Sequence, residues 1–244
     1  MDLIYRDDIL AAFNKPSGLL THRSPIDRHE TRFALQEARN RLGQRVYPAH
    51  RLDKPTSGVL LFATSPEIAN LLMQAFAGGG IQKTYLAVCR GILPEAGCID
   101  HALVEETDAC DDPRTCQERP AQPACTEYRR LADCELPHAV GRYPTSRYSL
   151  LLASPLTGRR HQLRRHFKHL FHPLIGDTRY GEGRHNRFFR DQFGCHRLLL
   201  HAAELTLHHP ITGELTTISA PLDATFRSVL AALGWLESVP RRWL

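Results

Sequence analysis

The chain has 244 residues, of which 42% are hydrophobic and 23% charged, with a net charge of +5. This is the composition of an ordinary folded protein and excludes a low-complexity, collagen-like or largely disordered chain. No apolar run approaches membrane-spanning length, and Met1 to Asp8 carries early acids where a signal peptide would carry an apolar core.

In chain order, apolar runs at 3–5 and 9–13 flank Arg6-Asp7-Asp8 and predict a hairpin. Asn14-Lys15-Pro16-Ser17-Gly18 breaks that pattern: Pro16 biases Lys15 towards extended backbone and Gly18 permits a turn. His22-Arg23-Ser24-Pro25 and Asp27-Arg28-His29 read as a charged loop. Phe33, Ala34, Ala38 and Leu42 predict a helix over 31–42, with Gly43 as its stop. A polar loop, His50 to Gly58, runs into an apolar strand at 59–63. Ser65-Pro66-Glu67 starts a helix with a hydroxyl cap and Pro in its first turn, and Gly78-Gly79-Gly80 ends it. Residues 82–91 alternate as a half-buried strand does.

Residues 105–123 are acidic, rich in proline and without periodicity, which predicts a long surface loop. Strands are expected at 125–132 and 147–153, and a helix at 161–171 with Leu163, Phe167 and Leu170 on one face. At about 100° per residue, Arg164 falls at the flank of that face, and Arg165 and Lys168 turn further towards solvent. A strand over 198–207, a turn at 209–214, a partner strand at 215–219 and a helix at 223–233 close the chain. Many strands with three or four helices among them give an α+β class, built on one mostly antiparallel mixed sheet around a central cleft.

The positive charge is unevenly placed. Between Arg159 and His201 stand nine arginines and one lysine against Asp177, Glu182 and Asp191, together with seven histidines. Such a stripe is the footprint of a polyanion partner, or else a solvated basic face. The seven cysteines include no Cys-x-x-Cys, and Cys110, Cys116, Cys125 and Cys134 are too widely spaced for a zinc ribbon. They read as reduced thiols of a cytoplasmic protein. The histidines at 161, 166, 169 and 172 lack i, i+4 pairing and companion acids, so no metal site is expected.

The loop His50-Arg51-Leu52-Asp53-Lys54-Pro55-Thr56-Ser57-Gly58 is the candidate reactive element. Asp53 is the only acid between Glu37 and Glu67, and it sits at the end of a buried strand. In order along the chain, 14–18, 50–58, Lys83-Thr84-Tyr85-Leu86-Ala87, Thr157-Gly158-Arg159 with His161-Gln162-Leu163-Arg164, His172 to Asp177, and Leu200-His201-Ala202 with His209 to Glu214 resemble the motifs of the RluA-type pseudouridine synthases. Three further stretches resemble the family members that act on uridine 65 of tRNA. They are His22-Arg23-Ser24 with Asp27-Arg28, Gly141 to Tyr148, and Gly158 to His166.

The resemblance implies that a tRNA uridine is flipped out and isomerised, with neither cofactor nor obligate protein partner. It implies Asp53 as the essential carboxylate, Tyr85 as the platform under the uracil and Arg164 as the cation beside Asp53. Leu52 and Leu163 would pack the base pocket. His50, Arg51, Arg159, His161, Arg165 and Lys168 would contact RNA. It further implies one catalytic domain over 1–244 without the small S4-like domain found in some relatives, so that RNA choice rests on the catalytic domain. Ribosomal RNA as target, and a non-catalytic RNA-binding or folding module, remain the alternative readings.

Overall fold

A computed structural model describes residues 1–22, 30–106 and 120–244. Most of the charged loop expected after His22 and most of the loop expected at 105–123, with Cys110 and Cys116, lie outside the described residues.

The strands are β1 (Asp2–Arg6), β2 (Leu10–Lys15), β3 (Tyr47–Pro48), β4 (Ser57–Ala63), β5 (Ile81–Arg90), β6 (Ala96–Asp100), β7 (Cys125–Leu136), β8 (Ser146–Pro155), β9 (Leu200–His208) and β10 (Leu215–Ser219). The α-helices are α1 (Ala34–Leu42), α2 (Pro66–Ala77), α3 (Gln162–His169), α4 (Gly183–Phe193) and α5 (Ala224–Ala232). Five helices are thus described, where three or four were expected.

The strands form one ten-stranded sheet in the order β1-β2-β4-β9-β5-β8-β7-β6, with β10 on β9 and β3 on β4. Every pairing is antiparallel except β4 with β9, which is parallel and limited to Ser57 opposite His201 and Gly58 opposite Ala202. Gly58 has φ +112°, and a Cβ there would lie 2.1 Å from the Ala202 carbonyl oxygen, so the contact requires glycine. Beyond Gly58, β4 leaves β9 and pairs with β3 instead. The sheet forks at this point, and residues 47–53 run into the opening.

β4 is buried throughout and apolar from Val59 to Ala63 because it is covered on both faces. Leu60 and Phe62 pack with Ala34 and Ala38 of α1, whereas Val59 and Leu61 pack with Ile68 and Leu72 of α2. β5 repeats the arrangement: Leu86 and Val88 meet Phe189 of α4 and Val229 of α5, and Ala87 and Cys89 meet Leu163 and Phe167 of α3. The helix starts and stops follow the local chemistry. The Ser65 hydroxyl accepts the Ile68 N–H at the start of α2, and Gly43 closes α1 in the left-handed region.

Candidate active site

The loop carrying Asp53 is held by the chain's first motif. The backbone N–H of Gly18 donates to the Lys54 carbonyl at 2.8 Å, and the Ser17 hydroxyl donates to the Pro55 carbonyl at 2.7 Å. Lys15 is fully buried and its ammonium donates to the carbonyls of Pro16, Leu19 and Lys54. Burial pushes Lys15 down to about 7, against the pull of the Asp53 carboxylate. Three carbonyl acceptors match the three N–H donors of the charged form. On the other side, Thr21 exchanges hydrogen bonds with the backbone of Leu52, and the Thr56 N–H donates to the Asp53 carbonyl. The loop is therefore fixed from both ends.

Asp53 faces α3. Its Oδ2 accepts from Nη1 of Arg164 at 3.3 Å, and its Oδ1 lies 3.9 Å from Nε2 of His161. Arg164, placed at the flank by helical periodicity, is in fact 5% exposed. A buried guanidinium needs a counter-charge, and most of it comes from Asp177. Nε donates to Asp177 Oδ2 at 2.7 Å and Nη2 to Oδ1 at 2.9 Å. Asp177 Oδ1 also accepts the backbone N–H groups of Arg179 and Tyr180. Burial would raise the Asp177 carboxyl, but these donors outweigh it and hold it below the usual carboxylate range. Arg164 is correspondingly raised: burial opposes its charge, and the bonds to Asp177 and Asp53 restore it. The guanidinium is thus locked on Asp177 and spends one remaining N–H on Asp53.

His161 precedes α3 in the left-handed region, with φ 53°, an uncommon conformation for a residue with a side chain. Its Nδ1 lies 2.8 Å from the Tyr180 hydroxyl, which donates to Glu106 at 2.5 Å. That assigns the proton between them to Nδ1 and leaves Nε2 towards Asp53. Burial holds the ring pKa down; Asp53 pulls the other way and Arg164 reinforces the lowering. Gln162 builds the turn before α3. Its Oε1 accepts from the Thr157 hydroxyl and the Arg159 N–H, and its Nε2 donates to the Cys125 carbonyl and Thr126.

These groups meet on a cavity of about 500 Å³ at the fork, a volume usual for a small-ligand pocket. Asp53, Tyr85, Arg164, Leu52 and Leu163 all line it, as do His50, Arg51, Arg159 and His161. Tyr85 lies at a register shift in the pairing of β5 with β9 and packs against the apolar clusters that hold Leu52 and Leu163. Burial, and secondarily the Asp53 charge, push its hydroxyl well above the ordinary range. His50 contributes a wall: its ring packs on Phe76, and its Nε2 accepts the Leu61 N–H at 3.0 Å. Arg165 and Lys168 do not line the cavity. Arg165 sits 3.7 Å from Glu106, and Lys168 lies over the Tyr180 ring.

The basic stripe of 159–201 is not one surface. Arg164, Arg165 and Arg197 are paired with carboxylates in sheltered positions, whereas the guanidinium groups of Arg179 and Arg190, about half exposed, pair with Glu106 and Asp191 at the surface. The histidines expected to be free of metal are likewise engaged: His166 bonds Thr126 and the His101 carbonyl, and His172 bonds the Arg90 carbonyl.

A family model described as RNA pseudouridylate synthase matches residues 9–169, which include Asp53, Tyr85 and Arg164. The chain belongs to the RNA pseudouridylate synthase family. The resemblance read from the motifs is met at the level of the family. Among curated relatives, tRNA pseudouridine synthase C of Pectobacterium carotovorum subsp. carotovorum is 51% identical over 240 residues. That match covers 98% of this chain but 64% of the relative. The protein of the same name from Vibrio cholerae is 49% identical over 239 residues, covering 98% of each chain. The solved structure of human RNA pseudouridylate synthase domain containing 1 has a TM-score of 0.67 at 27% identity, covering 96% of this chain and 94% of that one. The α+β fold with its mixed, mostly antiparallel sheet is that of the pseudouridylate synthases.

Within this candidate site, Asp177, Tyr180, Lys83 and Phe76 escape the sequence reading of roles. Lys83 donates to the Thr157 carbonyl on the cavity wall. The signal for Asp177 was the Gly-Asp pair after His172-Pro173, but nothing local shows that its carboxylate turns back on a helix thirteen residues earlier.

Proposed function

We propose that this protein converts a uridine of tRNA, at position 65, to pseudouridine, with residues 1–244 acting as one catalytic domain in the cytoplasm. The observation that carries the reading is the Asp53 carboxylate, held by a single N–H of Arg164 on a cavity that Tyr85 also lines. The tRNA as substrate is supported by the name shared by relatives about half identical over nearly the whole chain.

In this reading the target nucleotide is flipped from its stack into the cavity. The bond from the sugar carbon to N1 of uracil breaks, the base turns, and a bond from the same sugar carbon to C5 forms. C5 gives up its proton and N1 gains one. The reaction is an isomerisation, so the atoms balance without a co-substrate. Asp53 is the essential carboxylate, and one N–H of Arg164 holds it in place. Tyr85 holds the loose uracil. Its raised pKa keeps the hydroxyl protonated, which suits a platform better than a ready base. Leu52 and Leu163 supply the apolar walls. Arg51, Arg159 and His161 meet the RNA at the cavity, and Arg165 and Lys168 meet it only outside.

The test is to map pseudouridine in tRNA and ribosomal RNA from cells with and without the gene, and to repeat it with purified protein on unmodified tRNA. Loss confined to position 65, restored by the wild type, is the expected result. Loss at a ribosomal site with position 65 intact would sink the tRNA assignment. Binding without product would sink the catalytic one.

A further inference from the structure

A second cavity of about 530 Å³ lies at the far end of β5 from Tyr85. Five residue steps of strand lead from Tyr85 to Arg90, or roughly 17 Å. The cavity is bounded by Gly91 and His172 on one side, by the first turn of α4 on another, and by the segment 141–147 before and into β8. Four arginines line it: Arg90, Arg142, Arg147 and Arg184. Its single carboxylate, Glu182, is already neutralised by Arg90. Arg147 has only a 3.9 Å approach to Glu135, with both side chains about half exposed. Arg142 lies over the ring of Tyr143, 4.8 Å from its centroid. Arg184 has no ion pair among the described residues. Three exposed guanidinium groups, Arg142, Arg147 and Arg184, therefore line one concavity, and of these only Arg147 has a carboxylate near it among the described residues, at 3.9 Å. The N-terminus of α4 adds its partial positive charge.

We infer that this cavity binds backbone phosphates of the same tRNA whose uridine enters the Asp53 cleft, as a separate anchoring site on the RNA. The inference rests on the tRNA reading above. A planar guanidinium fork matches a phosphate bidentately, and several converging on a cavity with no competing free acid select a polyanion over a neutral ligand. Tyr143 is 51% exposed, and Arg142 covers one face of its ring, which leaves the other open to stack a base. The distance to Tyr85 is short against a folded tRNA, so both sites engage one molecule. An anchor here selects RNAs by shape, because only an RNA of the right fold brings a phosphate to the arginines while its uridine is in the cleft.

The experiment uses the full chain carrying Arg142→Ala with Arg184→Ala, beside a control with the same charge loss elsewhere, Arg41→Ala with Arg45→Ala. Neither pair touches the cleft. Single-turnover rates and affinities are measured on whole tRNA and on a short hairpin that carries the target uridine but is too small to span both cavities. For whole tRNA the expected result is an affinity loss of about tenfold, with the dependence of log affinity on log salt shallower by one to two, as about two phosphate contacts are removed. The rate at saturation is unchanged, and so is the affinity for the hairpin. The inference is overturned if whole tRNA binds the variant as it binds wild type. It is equally overturned if the control loses as much, or if the hairpin loses as much as tRNA. Failure of the tRNA reading is seen separately, as a wild type that makes no pseudouridine in tRNA.

Discussion

The two cavities are nearly equal in volume and opposite in construction. Around Asp53 the groups nearest the carboxylate are tied down: Arg164 by Asp177, His161 by Tyr180, and the carboxylate's own loop by Lys15 and Gly18. Around Arg142 and Arg184 the cations stand on exposed surface with little to hold them. The difference follows from the tasks. Bond breaking needs a few groups fixed to within fractions of an ångström, and fixing them before the substrate arrives lowers the barrier. Gripping a flexible polyanion needs charge that can adjust to it. The contrast also shows why a count of positive residues misleads, since Arg164, Arg165 and Arg197 of the 159–201 stripe are spent on sheltered internal pairing.

The contrast can be broken most directly at Asp53. Asp53→Asn keeps the size and removes the charge; product formation should fall at least about 10³-fold while tRNA affinity stays within about twofold. A variant that retained activity would show that the carboxylate is not the reacting group. Next in size is Asp177→Asn, which loosens Arg164 without touching the cavity's walls. Turnover should drop by about 10²-fold at unchanged tRNA affinity. Removing one charge from a buried pair should also cost about 3 kcal/mol of stability, read as a lower melting temperature. If stability falls and turnover at saturating tRNA does not, Asp177 supports the fold alone. The double arginine variant described above should show the reverse pattern, weaker binding at full turnover.

The last effect is in pH and bears on stability rather than turnover. His201 accepts from the Ser57 hydroxyl, donates to the Ala220 carbonyl and is buried, which pushes it down to about 4; His50 behaves likewise. The unfolded chain takes up two protons near pH 6.5 that the folded chain refuses until about pH 4. Their contribution is complete above about pH 6.5 and is lost as pH falls towards 4, by at most on the order of 3 kcal/mol per ring. A melting series in that window should be shallower for His201→Gln than for wild type; equal slopes would refute the neutral buried ring.

Much of this could be read from residue order. β4 declares itself as an apolar run, α2 by Ser65-Pro66, and the site by Asp53 standing alone among apolar and basic neighbours. What escaped has physical reasons. α4 carries His185, Phe189 and Phe193 at helical spacing, but its arginines mask the apolar face and Glu182 makes no side-chain cap. β6, Ala-Gly-Cys-Ile-Asp, buries only Ile99 and has little pattern to show. β7 runs on to Leu136 because pairing with β8 carries it through Asp133 and Glu135, which face away from the core. Burial of Arg164 was hidden because its partner lies across an irregular segment, and periodicity along a helix does not see a charge arriving from outside it.

The two residue pairs that join β4 to β9 have a consequence in time. Asp53 belongs to the first quarter of the chain, yet the strand beside its loop, β9, belongs to the last fifth. Closing so long a stretch of polypeptide is slow compared with forming the hairpins on either side. During synthesis the first strands and their helices form while the cleft is still missing a wall. The pocket beside Asp53 is complete only once Leu200, which lines it, and the β9 residues paired with Ser57 and Gly58 are in place.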